Sequence, residues 1–130
     1  MSTRLTTVQA HETVEDLLKL FVAQKITGVP VVDAAGKMIG VYSEYDLIKQ
    51  VSAFPELKAS LLREKIKFTE EVATASPDAP LSEIVQLFVN QKFRRLPIVT
   101  AEGELVGIIT RRDLMRVFFF RAKLADSEIL

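Results

Sequence analysis

The sequence predicts a mixed α/β (α+β) fold made of two copies of a β-α-β-β-α unit. Residues of distinctive type recur at a constant offset of 67 positions, and the apolar residues keep the same offset. The recurring landmarks are Pro30 and Pro97, Gly36 and Gly103, Gly40 and Gly107, and the Ser/Thr-x-x-Asp motifs at Ser43–Asp46 and Thr110–Asp113. Self-similarity at a fixed period indicates a duplicated supersecondary unit whose copies complete one another's core.

The first helix of each copy is predicted from its apolar periodicity. The apolar residues follow the i, i+3, i+4, i+7, i+8 spacing of one helix face in both copies. They are Val14, Leu17, Leu18, Phe21 and Val22 in the first copy and Leu81, Ile84, Val85, Phe88 and Val89 in the second. Thr13 and Asp16 form a capping-box pattern, so the first helix should start there and end near Lys25. In the second copy, the corresponding helix should begin at Pro80, a residue favoured in the first helical turn, and extend to Gln91.

The strands of the first copy follow from β-branched runs separated by a glycine turn. We predict a short strand at Leu5–Val8 and a hairpin formed by Val29–Val32 and Met38–Tyr42. Gly36 should supply the positive φ that the short hairpin loop requires. Ser43 then begins the second helix of the unit.

The second copy repeats this order. We predict a strand near Val72–Ala75, a hairpin over Leu96–Ile109 and a last helix opened by Thr110. Between the copies, Pro55 should start a helical stretch over Glu56–Ile66. The expected division is residues 1–52 for the first repeat, 53–70 for a helical connection, 71–122 for the second repeat and 123–130 for a C-terminal tail.

Composition favours an ordinary globular protein. The chain has 130 residues, of which 48% are hydrophobic and 26% charged, and 17 basic residues balance 17 acidic ones. The zero net charge gives no general electrostatic footprint for nucleic acid or an anionic membrane. Because the sequence has no cysteine, disulfides, thiolate chemistry and cysteine-based zinc sites are excluded.

The sequence shows no targeting segment, and we expect a cytoplasmic protein. The first 14 residues lack the apolar run of a signal peptide. The run Phe118–Phe120 is far too short to cross a bilayer and is flanked by Arg116 and Arg121. The chain is expected to be either freestanding or a piece of something larger.

The ordered motifs resemble those of a known family. Ile26–Leu47 and Phe93–Leu114 each contain an apolar strand with a proline, a glycine turn, a second strand beginning with Gly, and Ser/Thr-x-x-Asp. This pattern is similar to the cystathionine-β-synthase (CBS) domain, and two in tandem resemble a Bateman module. The resemblance covers nearly the whole chain except the connection and the tail, and it implies two repeats packed with pseudo-two-fold symmetry.

The resemblance implies a regulatory ligand sensor rather than an enzyme. Such a module binds an adenosine-type nucleotide (AMP, ADP, ATP or S-adenosylmethionine) in a cleft between the repeats, and it commonly forms a homodimer. By this resemblance, Asp46 and Asp113 would accept hydrogen bonds from the ribose hydroxyls. The hydroxyls of Ser43 and Thr110 would bind phosphate. A helix N-terminus suits phosphate because its N–H groups are unpaired. A carboxylate suits hydroxyl donors because charge assists the hydrogen bond.

The candidate ligand residues also include the segments before each strand proline and the strand starts. In the second repeat the set is Thr110, Asp113, Arg112, Arg111, Arg94, Arg95, Leu96, Pro97 and Thr74. In the first repeat it is Ser43, Asp46, Thr27, Gly28, Val29, Pro30 and Thr7. The four arginines replace Thr27, Gly28, Glu44 and Tyr45 of the first repeat and would complete a polyphosphate site. If one cleft alone binds, the second repeat is favoured.

Each signal has a simpler structural interpretation. Ser/Thr-x-x-Asp is also a helix capping box, and the arginines can form a solvated face. Phe118–Phe120 cannot all point into one core, which suggests a homodimer interface or, alternatively, packing against the module's own helices.

The sequence leaves two alternative functions, and it shows no motif for catalysis or metal binding. The module can be a ligand-independent dimerisation or docking element, or it can bind nucleic acid through the basic edge of the second repeat. The second is the weaker choice because basic and aromatic residues do not interleave. No catalytic group, metal cluster or phosphate loop is recognised, and His11 is interpreted as a loop residue. We expect no required cofactor, no membrane and no nucleic acid among the partners, and an effector protein is possible.

Overall fold

The computed structural model describes residues 5–54, 56, 58–91 and 94–129, with side chains through residue 125 in the last range. The chain divides into two compact units. The N-terminal unit comprises Thr6–Val72 and Glu102–Leu105. The C-terminal unit comprises Leu5, Ala73–Ala101 and the chain from Val106 onward. Both combine helices with a small sheet, so the mixed α+β fold class is confirmed.

The N-terminal unit contains a three-stranded sheet covered by helices. Its elements are β1 (Val8–Gln9), α1 (Val14–Gln24), β2 (Gly28–Val32), β3 (Met38–Ser43), α2 (Glu44–Ser52) and α3 (Ala59–Leu62). The strand order is β1-β2-β3, with β1 parallel and β3 antiparallel to β2. Leu17 of α1 and Val29, Val31 and Tyr42 of the sheet are almost completely buried and form the centre of the core. The predicted β-α-β-β-α order is present in this unit.

The predicted capping box opens α1. The Asp16 N–H donates to the Thr13 hydroxyl oxygen at 3.3 Å, and the Thr13 N–H donates to the Asp16 carboxylate at 3.0 Å. Hydrogen bonds donated to the Asp16 carboxylate by the backbone N–H of Thr13 and then by its side chain hold the pKa of the Asp16 carboxyl below its usual value. At the other end, Lys25 adopts a left-handed conformation (φ 54°), so the helix stops where its periodicity ends.

Glycine is required at two positions of the first hairpin for different reasons. Gly36 has a φ of 83°, as the turn prediction requires. Gly40 packs directly against the segment that follows α3. A Cβ added to Gly40 would overlap the Thr69 carbonyl and the Phe68 ring. That segment runs antiparallel to β3, since the N–H groups of Val41 and Thr69 each donate to the other residue's carbonyl at 2.9 Å.

The C-terminal unit contains α4 (Leu81–Gln91), β4 (Arg95–Val99), β5 (Leu105–Thr110) from Val106 onward, and α5 (Arg111–Ile129). Ala75 forms a parallel bridge with Ile98. The residues 67 positions earlier in the sequence are Val8 and Val31, and they pair in the same parallel way. The duplication seen in the sequence is therefore reproduced in the strand register. The buried core of this unit consists of Ala75, Ile84, Leu96, Ile98 and Leu114.

Three element predictions differ from the structure. The first strand is Val8–Gln9 rather than Leu5–Val8, and the strand expected near Val72–Ala75 is a single bridge at Ala75. The helix expected over Glu56–Ile66 is only Ala59–Leu62, and Pro55 lies outside the described residues.

Backbone hydrogen bonds to the start of α1 explain the short α3. The Glu64 carbonyl accepts from the N–H of Val14, and the Ile66 N–H donates to the Glu12 carbonyl. Residues 64–66 are thus held by another part of the chain and do not continue the helix. In contrast, α5 continues through Ile129 and reaches 19 residues, whereas its equivalent α2 has nine.

Candidate functional site

Both Ser/Thr-x-x-Asp motifs form capping boxes in the structure. At α2 the Ser43 N–H donates to the Asp46 carboxylate at 2.8 Å, and the Asp46 N–H donates to the Ser43 hydroxyl at 3.2 Å. At α5 the corresponding hydrogen bonds of Thr110 and Asp113 measure 2.8 and 3.2 Å. The capping interpretation is therefore confirmed, and any ligand role of these residues comes in addition to it.

The first amide of each helix is also engaged. The Glu44 N–H donates to the Thr27 carbonyl at 3.0 Å, and the Arg111 N–H donates to the Arg94 carbonyl at 3.2 Å. These bonds tie the residue before β2 or β4 to the helix that follows the hairpin. The positions that the sequence singled out before each strand proline thus lie beside the capping motif in both units.

The two aspartates differ at their second carboxylate oxygen. Asp46 Oδ2 accepts from Ser43, and its Oδ1 accepts from the Thr69 hydroxyl at 2.9 Å. Asp113 Oδ1 instead lies 3.8 Å from the guanidinium of Arg116, whose side chain is 72% exposed. Both oxygens of Asp46 are therefore bonded within the N-terminal unit, and a ribose hydroxyl would have to displace Thr69 from Oδ1.

The segment that leads to Thr69 is bound by a buried glutamine. The Gln50 side chain is 4% exposed, and its amide donates to the Lys65 carbonyl at 2.8 Å. Its carbonyl oxygen accepts from the Lys67 N–H at 3.1 Å and from the Tyr42 hydroxyl at 2.8 Å. Burial, together with the nearby charge of Asp46, raises the pKa of Tyr42 to about 12. This network fixes the segment that brings Thr69 to Asp46.

An open pocket of about 570 Å³ lies at the start of α5. It is lined by Arg94, Arg95, Thr110, Arg111, Arg112 and Met115. The side chains of Arg94, Arg111 and Arg112 are exposed and that of Arg95 is half-buried. A volume of this size is typical of small-ligand sites, and four guanidinium groups suit an anion with several oxygens.

The N-terminal unit has different side chains at the positions of the four arginines. A mostly apolar pocket of about 320 Å³ lies beside Glu44, and most of its lining comes from α1 and α2. Thr27 contributes to this pocket as well. Glu44 and Tyr45 occupy the positions of Arg111 and Arg112 of the C-terminal unit. The arginine cluster is therefore a property of the second repeat.

The remaining candidate residues fall into two classes. Val29, Pro30, Leu96 and Pro97 are buried in strands, and Val29 and Leu96 belong to the two cores. Gly28 is half-buried at the start of β2, and Thr7 and Thr74 are exposed next to the bridged positions. In the C-terminal unit the structure brings together the four arginines and Thr110, with Asp113 capping the same helix end.

Sequence reasoning missed two residues. Met115 lines the arginine pocket, and its position four residues after Arg111 on one helix could have revealed it. Thr69 contacts Asp46 from 23 positions away, and no local pattern marks it. Within the residues that the structure describes, no group of three or more His, Cys, Asp or Glu could hold a metal ion. Among the described helices, none has the length and apolar character needed to cross a bilayer.

Comparison with known proteins agrees with the architecture. CBSX2, a CBS domain-containing chloroplastic protein of Arabidopsis thaliana, is 32% identical over 134 residues, which cover 84% of this chain and 56% of CBSX2. The chain therefore spans little more than half the length of this relative. Inosine-5'-monophosphate dehydrogenase of Aquifex aeolicus is 35% identical over 112 residues, covering 85% of this chain and 22% of the enzyme.

Solved structures show the same fold. The crystal structure of CBSX2 in complex with AMP has a TM-score of 0.75 at 29% identity and covers 92% of this chain and 90% of that chain. AcuB of Vibrio cholerae has a TM-score of 0.81 at 27% identity and covers 98% of this chain and 92% of that chain. The sequence profile of the CBS domain matches residues 1–53 and 64–119. The chain therefore belongs to the CBS domain family and carries a tandem pair of these domains.

Proposed function

We propose that this chain is a regulatory module that binds an adenosine-type nucleotide and converts its occupancy into a change of conformation or assembly. The pocket at the start of α5 would receive the phosphate groups. The observation that carries this proposal is the convergence of four arginines on Thr110 at the helix start. The likeness to CBSX2, whose crystal structure is a complex with AMP, supports an adenine nucleotide.

The chemistry of the pocket favours a phosphorylated ligand. Each guanidinium presents a planar fork of donors that can bind two oxygens of a phosphate. Positive charge at the N-terminal end of α5 adds to the attraction. The Thr110 hydroxyl can donate to a phosphate oxygen only by releasing its 3.1 Å bond to Asp113. We therefore assign phosphate binding chiefly to the arginines, and ribose recognition to Asp113.

We further propose that the N-terminal unit does not bind phosphate. Glu44 stands where the C-terminal unit has Arg111 and would repel an anion. Thr69 occupies the second oxygen of Asp46. The remaining candidates of this unit would then contact a ligand only through uncharged groups. They are Thr7, Thr27, Gly28 and Ser43. One phosphorylated ligand per chain is the expected stoichiometry.

Calorimetry and thermal shift test this proposal directly. AMP, ADP, ATP, GTP and S-adenosylmethionine are titrated into the wild type and into Arg112→Gln. Arg63→Gln is the matched control, because it removes one exposed arginine of the N-terminal unit. A ligand at 100 times its dissociation constant stabilises by about 2.7 kcal/mol, enough to raise Tm by several degrees. We expect an adenine-selective shift that Arg112→Gln reduces and Arg63→Gln retains.

The contrary result is equally clear. If every nucleotide leaves Tm unchanged in a folded wild-type chain, the sensor function is wrong. Ligand-independent homodimerisation or docking is then the second candidate. The observation that favours it is the set of exposed apolar residues on α5, namely Met115, Phe118, Phe119, Phe120 and Leu124, which are 44–67% exposed.

We also propose that the module acts as a homodimer in the cytoplasm, with repeats bounded at residues 1–52 and 71–122. An exposed apolar helix face in each unit supports self-association, because such surfaces commonly mark interfaces. Sedimentation equilibrium on the isolated chain checks the oligomeric state. A monomer at every concentration would contradict the homodimer.

A further inference from the structure

The turn of the second hairpin pairs with the turn of the first. Glu102–Leu105 belong to the N-terminal unit, although β4 lies in the C-terminal one. Within the N-terminal unit, Glu104 forms an antiparallel bridge with Lys37, which follows Gly36 in the turn between β2 and β3. Because the bridge lies outside the β-sheets, it is a contact of the two turns themselves.

Two backbone hydrogen bonds flank this bridge. The Met38 N–H donates to the Gly103 carbonyl at 3.0 Å, and the Leu105 N–H donates to the Gly36 carbonyl at 3.4 Å. Both the two donors and the two acceptors are separated by 67 positions, so each bond is the counterpart of the other. The bridged residues have the same offset. The contact therefore joins equivalent residues of the two repeats and has local two-fold symmetry.

The hydrogen-bond pattern places two charged residues directly opposite each other. The bonds run between the neighbours of Lys37 and Glu104, which makes these two a non-hydrogen-bonded antiparallel pair. The Cβ atoms of such a pair lie about 4.5–5.5 Å apart, so the side chains can interact. The Lys37 side chain also runs beside the second turn, because its Cγ and Cδ lie 3.8 Å from a Cβ added to Gly103. Both charged residues are exposed.

The first turn is held by its own hydrogen bonds. One carboxylate oxygen of Asp33 accepts from the Ala35 N–H at 2.9 Å and from the Lys37 N–H at 3.0 Å. The Asp33 carbonyl accepts from the Gly36 N–H at 3.0 Å. An aspartate that binds the backbone two residues ahead fixes a turn of this kind. Lys37 is therefore presented to the second turn from an ordered backbone.

The opposite charges distinguish between possible partners of each turn. A contact that joins equivalent residues through a local two-fold axis can also be built from two identical turns. Two first-repeat turns would place Lys37 opposite the same lysine of another copy, and two second-repeat turns would do so for Glu104. Like charges directly opposite each other in an antiparallel pair are destabilising, whereas opposite charges are stabilising.

We propose that Lys37 and Glu104 are a recognition pair through which each hairpin turn selects the unlike turn as its partner. The lysine of the first turn attracts the glutamate of the second, and two like turns repel each other. Since both turns are on one chain, the selected contact is intramolecular. The proposal depends neither on nucleotide binding nor on homodimerisation.

Charge reversal tests the pair. Lys37→Glu and Glu104→Lys each place like charges opposite one another, and the combined exchange restores an opposite pair. Glu102→Lys is the matched control, because it makes the same charge change at an exposed residue of the same turn outside the bridge. At low ionic strength we expect each single reversal to lower Tm by about 3 °C and the exchange to recover most of that loss. Combining Lys37→Glu with Glu102→Lys should recover much less.

Hydrogen exchange provides a local measurement of the same contact. The amides of Met38 and Leu105 donate across the bridge, whereas the Ala35 amide donates within its own turn. Exchange at Met38 and Leu105 should be severalfold faster in each single reversal and return to the wild-type rate in the combined exchange. Ala35 should change little. In 1 M salt the differences should shrink, because the screening length falls to about 3 Å.

Three results would each overturn the recognition pair. Equal Tm losses for Glu104→Lys and Glu102→Lys would show that the position opposite Lys37 has no special role. A combined exchange whose loss is the sum of the two single losses would show that the charges do not act on each other. Fast exchange at Met38 in the combined variant would show that the contact needs the native residues rather than opposite charges.

Discussion

Asp46 combines two tasks at the residue scale. One of its carboxylate oxygens caps α2 through Ser43, and the other accepts a hydrogen bond from Thr69, which belongs to the connecting segment. A single charged side chain therefore joins the start of a helix to a distant part of the same unit. Hydrogen bonds to charged groups contribute more than neutral ones, so this link should be measurable.

A double-mutant cycle tests the link between Asp46 and Thr69. Asp46→Ala removes the cap and the link and should lower the free energy of unfolding by about 2 kcal/mol. Thr69→Val removes only the link and should cost about 1 kcal/mol. Urea denaturation of both single variants and the double variant gives the coupling energy. Strictly additive losses would contradict a direct interaction between the two side chains.

Gly40 gives a second prediction at this scale. Gly40→Ala forces a methyl group against the Thr69 backbone and the Phe68 ring, so it should destabilise the chain by about 2 kcal/mol through overpacking. Gly36→Ala has open space around its Cβ but a φ of 83°, and it should cost about 1 kcal/mol through backbone strain alone. Thermal unfolding compares the two variants. A smaller loss for Gly40→Ala would show that the connecting segment yields.

The residue-scale predictions from sequence succeeded where the signal was local. The capping boxes of Thr13, Ser43 and Thr110 and the turn glycine Gly36 involve neighbours within four positions, and all are present. Gly40 was recognised only as a landmark of the repeat. Glycine is required there because a segment almost thirty positions away in the sequence packs against it, and no local pattern encodes that contact.

At the element scale the helices were predicted better than the irregular strands. The periodicity of α1 and α4 reflects burial of one helix face, which the sequence records directly. The single bridge at Ala75 and the short α3 depend on which distant backbone groups accept their hydrogen bonds. The arginines could be singled out from the sequence because Arg111 and Arg112 immediately follow the Thr110 cap and replace Glu44 and Tyr45 of the first repeat.

The length of α5 leads to a prediction about its aromatic residues. Phe119 and Phe120 are 67% and 64% exposed, whereas Leu114 on the same helix is 7% exposed. At low protein concentration, Phe120→Gln should change the free energy of unfolding by no more than about 0.5 kcal/mol. Leu114→Ala should lower the free energy of unfolding by about 3 kcal/mol. Urea denaturation at two protein concentrations separates the effects. A large loss for Phe120→Gln only at the higher concentration would place Phe120 in an interface between copies.

At the scale of the whole molecule, the arginine pocket shares two residues with an apolar pocket between α4 and α5 of the same unit. Arg111 and Met115 line both pockets. In a homodimer that covers the apolar pocket, the Arg111 side chain would lie between a ligand phosphate and the second copy. Because one side chain would take part in both contacts, ligand binding and dimerisation should influence each other. This gives ligand occupancy a physical route to the state of assembly.

Linkage makes this coupling measurable in both directions. Saturating nucleotide should change the dimer dissociation constant about fivefold, and dimerisation should change the nucleotide affinity by the same factor. Arg111→Gln removes the shared guanidinium and should reduce the coupling. Sedimentation equilibrium with and without nucleotide, paired with calorimetry at low and high protein concentration, gives the two factors. If the coupling is the same in the wild type and in Arg111→Gln, Arg111 does not connect the two sites, and the coupling must run through a change in the placement of the helices.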